Sequence, residues 1–373
     1  MDITHKVKLV IINRKKLIFL AIKKIITIFV YTNKKTMTEK KLNRLKEVLS
    51  VPTHTREEDL MVEYLGGVLE DKGYDYTIDG HNNVYVTKGE AEFYPCFIAH
   101  TDTVHQINHN LTVVETKDEK NGIILTGMDK VTSQPSGIGG DDKCGVYLCL
   151  EMLDKLDNVK AAFFVSEEIG CLGSQHADPN FFKDVGYAIQ YDSPEGDSMS
   201  MSLMGKDLFG KKSEFGEKVS PLILEHGISD WANHPYTDAW QLIEKFNFSC
   251  LNLAAGYYKY HTNNEYVLVN DVENAFELGL KLVGVLGEVR YDRPQETPKQ
   301  RLWDRFSGPV ITERPTERPS DYENYDDDAK DEWQDYINEE SDDGFEDLFD
   351  YDDFNGGYSI NNYGSKDDIR FDW

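Results

Sequence analysis

Three short runs constrain the fold more than anything else in the chain. Phe97-Ile98-Ala99-His100-Thr101-Asp102, Phe163-Phe164-Val165-Ser166-Glu167-Glu168 and Tyr187-Ala188-Ile189-Gln190-Tyr191-Asp192 each stay mostly apolar and then end on an imidazole or a carboxylate. A fourth, Cys250-Leu251-Asn252-Leu253-Ala254-Ala255, leads on to His261. Short apolar runs of this kind read as buried strands. Helical patterns lie between them, and strands alternating with helices argue for an α/β sheet. In open α/β sheets, sites are built at the carboxyl ends of the strands, which is where these runs place their polar residues.

The helices are legible from spacing and caps. Leu42, Leu45, Val48 and Leu49 share one helical face, and Pro52 ends that run. Thr55-x-x-Glu58 reads as a capping box. It opens a second helix carrying Leu60, Met61, Tyr64, Leu65, Val68 and Leu69, stopped by Gly73. Strands are expected over 74–78, 83–87, 93–99, 159–165, 186–191 and 248–254, and strands with turn-rich loops over 105–140. Helices are expected over 142–153, 219–226 and from Thr237 onward. Asn270-x-x-Glu273 reads as the cap of a last amphipathic helix with Val272, Phe276, Leu280, Val283 and Leu286.

The two ends of the chain differ from this body. Residues 321–373 hold 20 Asp and Glu against 3 Lys and Arg, so −17 of the net −27 sits there. Pro298, Pro309, Pro315 and Pro319 break the preceding stretch. Residues 297–373 are therefore expected to be a disordered acidic tail, with aromatics such as Trp333, Phe345 and Trp373 as short motifs for a protein partner. The acidic balance argues against nucleic acid or an anionic membrane as a partner of the body. At the other end, 17–30 is apolar but interrupted by Lys23 and Lys24. That stretch fails as a spanning helix and lacks a signal-peptide cleavage site. Residues 1–36 read either as a basic membrane-surface segment or as an extension ahead of a working start at Met37. The five cysteines are odd in number and form no C-x-x-C. They read as buried free thiols in a reducing, cytoplasmic compartment.

One His, three acids and a second His at element ends make a ligand set suited to a pair of zinc ions. His100-x-Asp102 puts both side chains on one side of an extended segment, and a carboxylate there suits the task of fixing the imidazole tautomer. In Gly139-Gly140-Asp141-Asp142-Lys143, a carboxylate where a glycine-rich loop meets a helix can bridge two ions. Either aspartate fits that role, and Asp142 equally suits a helix N-terminal charge. Glu167 and Glu168 follow a strongly apolar strand, a costly place for two acids unless a positive charge compensates. Adjacent strand residues point opposite ways, so one acid can hold metal while the other faces a bound water. Asp192 ends a further strand, and His261 lies in a loop with no core reason for a histidine. His105, His109, His176, His226 and His234 read as surface or core residues.

His100-Thr101-Asp102-Thr103-Val104, Gly140-Asp141-Asp142-Lys143-Cys144-Gly145, Glu167-Glu168-Ile169-Gly170, Asp192 and Tyr260-His261-Thr262 with Glu265 and Asp271 resemble, in order, the motifs of the co-catalytic zinc exopeptidase superfamily. That superfamily includes tripeptidase T, carboxypeptidase G and the lidless zinc aminopeptidases. The resemblance covers residues 38–290. It implies that His100, Asp141 and Asp192 hold one zinc and that Asp141, Glu168 and His261 hold the other. It makes Glu167 the general base and Asp102 the residue that orients His100. The gap of 69 residues from Asp192 to His261 leaves no room for the lid of the tripeptidase branch. The expected fold is a three-layer α-β-α domain over 37–296, around a central mixed, mostly parallel sheet, with no separate lid.

The expected function is a dinuclear zinc aminopeptidase or di/tripeptidase acting on small peptides, with manganese or cobalt as substitutes for zinc. Two other readings compete with it. One is an amidohydrolase for N-acyl amino acids or cell-wall peptides on the same metal pair. The other is a non-catalytic scaffold whose acidic tail binds a partner.

Overall fold

The computed structural model describes residues 37–203, 206–208, 210, 213–233 and 237–293. The expectations for 1–36 and for the acidic tail fall outside these residues, as does His234. Among the described residues no helix is long and apolar enough to cross a membrane.

The strand-forming runs pair as their apolar character demands. A mixed sheet has at its centre β6 (Val159–Phe164), β3 (Tyr94–His100), β7 (Val185–Ser193) and β11 (Cys250–Ala254), all mutually parallel. Every residue of these four strands is buried, as expected where helices cover both faces. β2 (Val84–Lys88) and β1 (Asp75–Ile78) extend one side antiparallel. On the other side stand β8 (Ser198–Leu203), with β9 (Lys206–Asp207) antiparallel to it, and β10 (Asp230–Asn233).

Helix α3 (Gly140–Lys155) packs on β3, β6 and β7, flanked by α1 (Glu39–Ser50) and the last helix, α8 (Val269–Leu286). Helix α7 (Asp238–Phe246) packs on β3, β7 and β11. The remaining helices are α2 (Asp59–Lys72), the short α4 (Leu172–Gln175) and α5 (Pro179–Phe182), and α6 (Glu214–Glu225), which packs on α8. The described residues between Asp192 and His261 extend the same sheet or pack on this body, so they contain no lid. A second sheet is antiparallel, and its two long strands fall within 105–140, where strands were expected. It joins β4 (Leu111–Asp118), β5 (Gly122–Asp129), β13 (Tyr266–Leu268) and β12 (Tyr257–Tyr258). It carries the loop of His261 on the β12–β13 connection.

Two expected caps are corrected. Helix α2 starts at Asp59, with Glu58 at its N-cap and no side-chain cap bond. Thr55 instead donates to Asp102 Oδ2 at 2.9 Å. Glu58 accepts from the N–H and the hydroxyl of Ser166, both at 3.0 Å. Both side chains are thus held by buried groups beneath the site. Asn270 lies inside the first turn of α8 and donates to Asn121 O at 2.9 Å.

Candidate metal centre

The carboxyl ends of the four parallel strands converge, and the polar residues that follow them meet in one cluster. β3 delivers His100 at its last position, only 1% exposed. Its Nε2 lies 3.1 Å from Asp141 Oδ1 and 3.5 Å from Asp192 Oδ1. Its Nδ1 lies 3.2 Å from Asp102 Oδ1. On the far side of Asp141, His261 Nε2 lies 3.3 Å from Oδ2. It also lies 3.1 Å from each oxygen of Glu168. Asp141 therefore turns one oxygen to each imidazole.

Asp102 is wholly buried and does more than hold His100. Its Oδ1 accepts the Glu167 N–H at 2.9 Å, and its Oδ2 accepts the Glu168 N–H at 3.2 Å. One carboxylate thus fixes both the imidazole and the turn that carries the glutamates. That turn corrects the expected strand geometry. β6 ends at Phe164, Ser166 takes φ of 55°, and the N–H groups of Gly170 and Cys171 close on Glu167 O. The two acids diverge because of this turn and not because of a strand pleat. Glu168 faces His261, and Glu167 accepts the Cys171 thiol at 3.4 Å.

The neighbouring aspartates separate by their partners. Asp142 Oδ2 accepts the His100 N–H at 3.1 Å, and Oδ1 accepts the Gly145 N–H at 3.0 Å. It caps the regular part of α3, because Asp141 and Asp142 themselves have non-helical backbone angles; the peptide bond between them is cis. Asp142 still comes within reach of His100 and Asp192: donor atoms of that trio lie within 4.8 Å of one another, as do those of His100, Asp141 and Glu168. Both Asp142 oxygens are engaged by backbone N–H groups, whereas the two oxygens of Asp141 face the two histidines.

The electrostatics follow from packing so many acids together. Burial pushes Glu167 well above the usual carboxylate range, and the charge of Asp192 adds to the shift. Burial raises Glu168 as well, against the hydrogen bond from His261. Asp192 rises to about 6 and Asp238 to about 7, again chiefly through burial. Burial opposes ionisation of Asp141, yet its bonds to His100 and His261 win and hold its carboxyl low. Asp102 is held low in the same way by His100. Both histidines are pushed up. Burial works against their charge, but the carboxylates outweigh it, taking His100 well above its ordinary value and His261 to about 10. Six carboxylates (Asp102, Asp141, Asp142, Glu167, Glu168 and Asp192) surround two imidazoles. Such an excess of buried negative charge fits a pocket that takes up cations, and oxygen and imidazole donors without thiolate suit zinc.

Several residues around the site were given no role from the sequence. Glu265, 1% exposed, accepts the N–H groups of Gly139 at 2.7 Å and Asp141 at 3.1 Å. It also bonds His105 Nε2 at 2.8 Å. It thereby ties the glycine-rich loop to the loop of His261, four residues before it. Space at that loop is tight: a Cβ on Gly140 would meet Tyr257 Cβ at 2.7 Å. Asp238 is wholly buried and accepts the Ser174 hydroxyl at 2.5 Å. Gln190, inside β7, donates to Asp192 Oδ2 at 3.1 Å. Its only sequence signal is an amide in a run that is otherwise apolar until it ends on Asp192. Elsewhere, His176 stacks on His81 at 4.0 Å, and His226 Nδ1 lies 2.9 Å from Leu222 O.

No protein-family model matches the sequence, and no curated protein matches it. Solved structures do resemble the fold. A tripeptidase from Staphylococcus aureus superposes with a TM-score of 0.52 at 14% identity, over 68% of this chain and 99% of that one. Aminopeptidase PepT from Bacillus cereus gives 0.55 at 14% identity, over 66% and 98%. The chain has the fold of these two proteins.

Proposed function

We propose that the protein is a metal-dependent peptidase that hydrolyses the amide bonds of small peptides with a pair of divalent cations, zinc by preference. The observation that carries this reading is Asp141 lying between His100 and His261, one oxygen toward each. In this reading His100, Asp141 and Asp192 hold one ion, and Asp141, Glu168 and His261 hold the other. A bound pair supplies an acidified water and a polarised scissile carbonyl. Glu167 takes the proton from the attacking water and delivers it to the leaving amine. Burial suits it to both steps, since a raised carboxyl pKa lies nearer the operating pH. Asp102 holds the His100 ring and the backbone of both glutamates, so the base and one ligand keep a fixed separation. The peptidase fold neighbours support this choice of chemistry. The five cysteines are all buried free thiols, in keeping with a reducing cytoplasm. The acidic tail would serve a protein partner, a reading that rests on its composition.

The test is hydrolysis of a peptide panel and of N-acyl amino acids by the zinc-loaded chain. Release of free amino acids from short peptides, abolished by a chelator and restored by zinc, is the expected result. A zinc-loaded chain that cleaves no peptide overturns the reading.

A further inference from the structure

Asp192 has two oxygens, and Oδ1 is the one that lies toward His100 Nε2. Nothing in an aspartate itself decides which oxygen faces the metal or keeps the carboxylate from rotating. We propose that Gln190 is the positioning residue that aims Asp192 at the His100 ion, through a hydrogen-bonded relay anchored on the first turn of α7; the inference rests on the reading of the metal site proposed above.

The polarity of the relay is fixed by chemistry. Ala239 N lies 2.7 Å from one end of the Gln190 carboxamide. A backbone N–H can only donate, so that end is the oxygen, Oε1. The Thr237 hydroxyl donates to the same oxygen at 2.5 Å. The other end must then be the amide nitrogen. It lies 3.1 Å from Asp192 Oδ2 and donates to it, which leaves Oδ1 turned to His100. A second carboxamide holds the backbone of the same residue. Asn252, the neighbour of Gln190 across β11 and β7, accepts the Asp192 N–H at 2.9 Å through Oδ1. Its Nδ2 reaches the Thr237 hydroxyl at 3.4 Å. The protons therefore run one way: from Asn252 to Thr237, to Gln190, to Asp192.

The arrangement has a cost elsewhere, which marks it as more than packing. Thr237 occupies the N-cap position of α7, yet its side chain makes no cap bond there. A threonine at that position ordinarily stabilises the helix by accepting from the helix's own N–H groups. Here Gln190, from another strand, accepts the Ala239 N–H, and the Thr237 hydroxyl is directed at the amide. Gln190, Asn252 and Thr237 are all at most 1% exposed, so water is not available to replace a lost partner.

The test uses the full chain, stripped of metal and titrated with zinc against a chromophoric chelator. A Glu168→Ala background removes a ligand of the second ion only, so the titration reports the His100 site. In that background Gln190→Met, which keeps the bulk and removes the amide, weakens zinc binding by ~10–100-fold, the usual loss on removing a hydrogen-bond partner of a metal ligand. Thr237→Val, which removes one hydroxyl and leaves Gln190 in place, weakens it less and guards against a folding defect in the first variant. The same substitutions in an Asp192→Ala background, where the His261 site is left to report, leave zinc affinity unchanged. Folded Gln190→Met and Thr237→Val chains that bind zinc at the His100 site as tightly as their parent overturn the inference and leave the metal site standing. A wild-type chain that takes up no zinc overturns both.

Discussion

His100 and His261 approach the same carboxylate from opposite sides, but the chain holds them in different ways. His100 ends a central strand, is 1% exposed, and is contacted by Asp102, Asp141 and Asp192. His261 lies on a loop at φ of 59°, with 41% of its side chain exposed. Its ring meets Tyr260 edge-on at 4.9 Å and the carboxylates of Asp141 and Glu168. One half of the site is part of the core, so its geometry is set when the sheet forms. The other half is carried by a surface connection, whose position relies on Glu265 gripping the Asp141 loop. The first ion should therefore bind to a ready-made site, and the second to one that metal itself helps to order.

The largest expected effect tests what the two halves share. Glu167→Gln should keep both ions and lose turnover by about 10²–10⁴-fold, the usual contribution of a positioned acid–base group. Wild-type turnover with full metal content would remove Glu167 from the base role. The next effect divides the halves. In the metal-free chain His100→Ala should cost about 3–5 kcal/mol in chemical denaturation, because it leaves buried carboxylates without their partner. His261→Ala should cost less than that, since its ring is partly exposed and solvent screens its charge. Equal costs would erase the contrast.

A smaller effect is the pH dependence of the metal-free chain. His261 is raised to about 10. The stability it gains is complete below the unfolded imidazole value of about 6.5 and is lost as pH climbs through 10. Asp192 and Asp238, raised by burial to about 6 and about 7, bind protons more readily folded than unfolded, so their ionisation also costs stability as pH rises. Asp102, held low, contributes stability that is present above about pH 4 and constant through this window. Melting of the chelator-treated chain should therefore move to lower temperature between about pH 5 and pH 8, and zinc at the upper pH should reverse the shift. A melting temperature that rises over that window without metal would contradict the assignment of these groups.

The strands and the candidates His100, Glu168, Asp192, His261 and the Asp141-Asp142 pair were legible because each sits where an apolar run or a loop meets charge, a local pattern. What was not legible depends on partners far away in the chain. Thr55 and Glu58 look like a capping box until Asp102 and Ser166 are folded against them. Glu265 acts on N–H groups more than 120 residues earlier. The sense of the Gln190 amide is decided by a helix end 49 residues later. Asp142 could be separated from Asp141 only once His100 N and Gly145 N were seen to occupy its oxygens. The two short strands of the small antiparallel sheet were missed because Tyr257–Tyr258 and Tyr266–Leu268 are too short to show a period.

The most direct measurement is the number of divalent ions bound per full-length chain, by elemental analysis after dialysis against micromolar zinc. The two-sided contact of Asp141 predicts two ions in the wild type, one in His261→Ala and none in Asp141→Ala, all with the fold intact. A folded wild-type chain that carries no zinc, or an Asp141→Ala chain that still carries two, would contradict it.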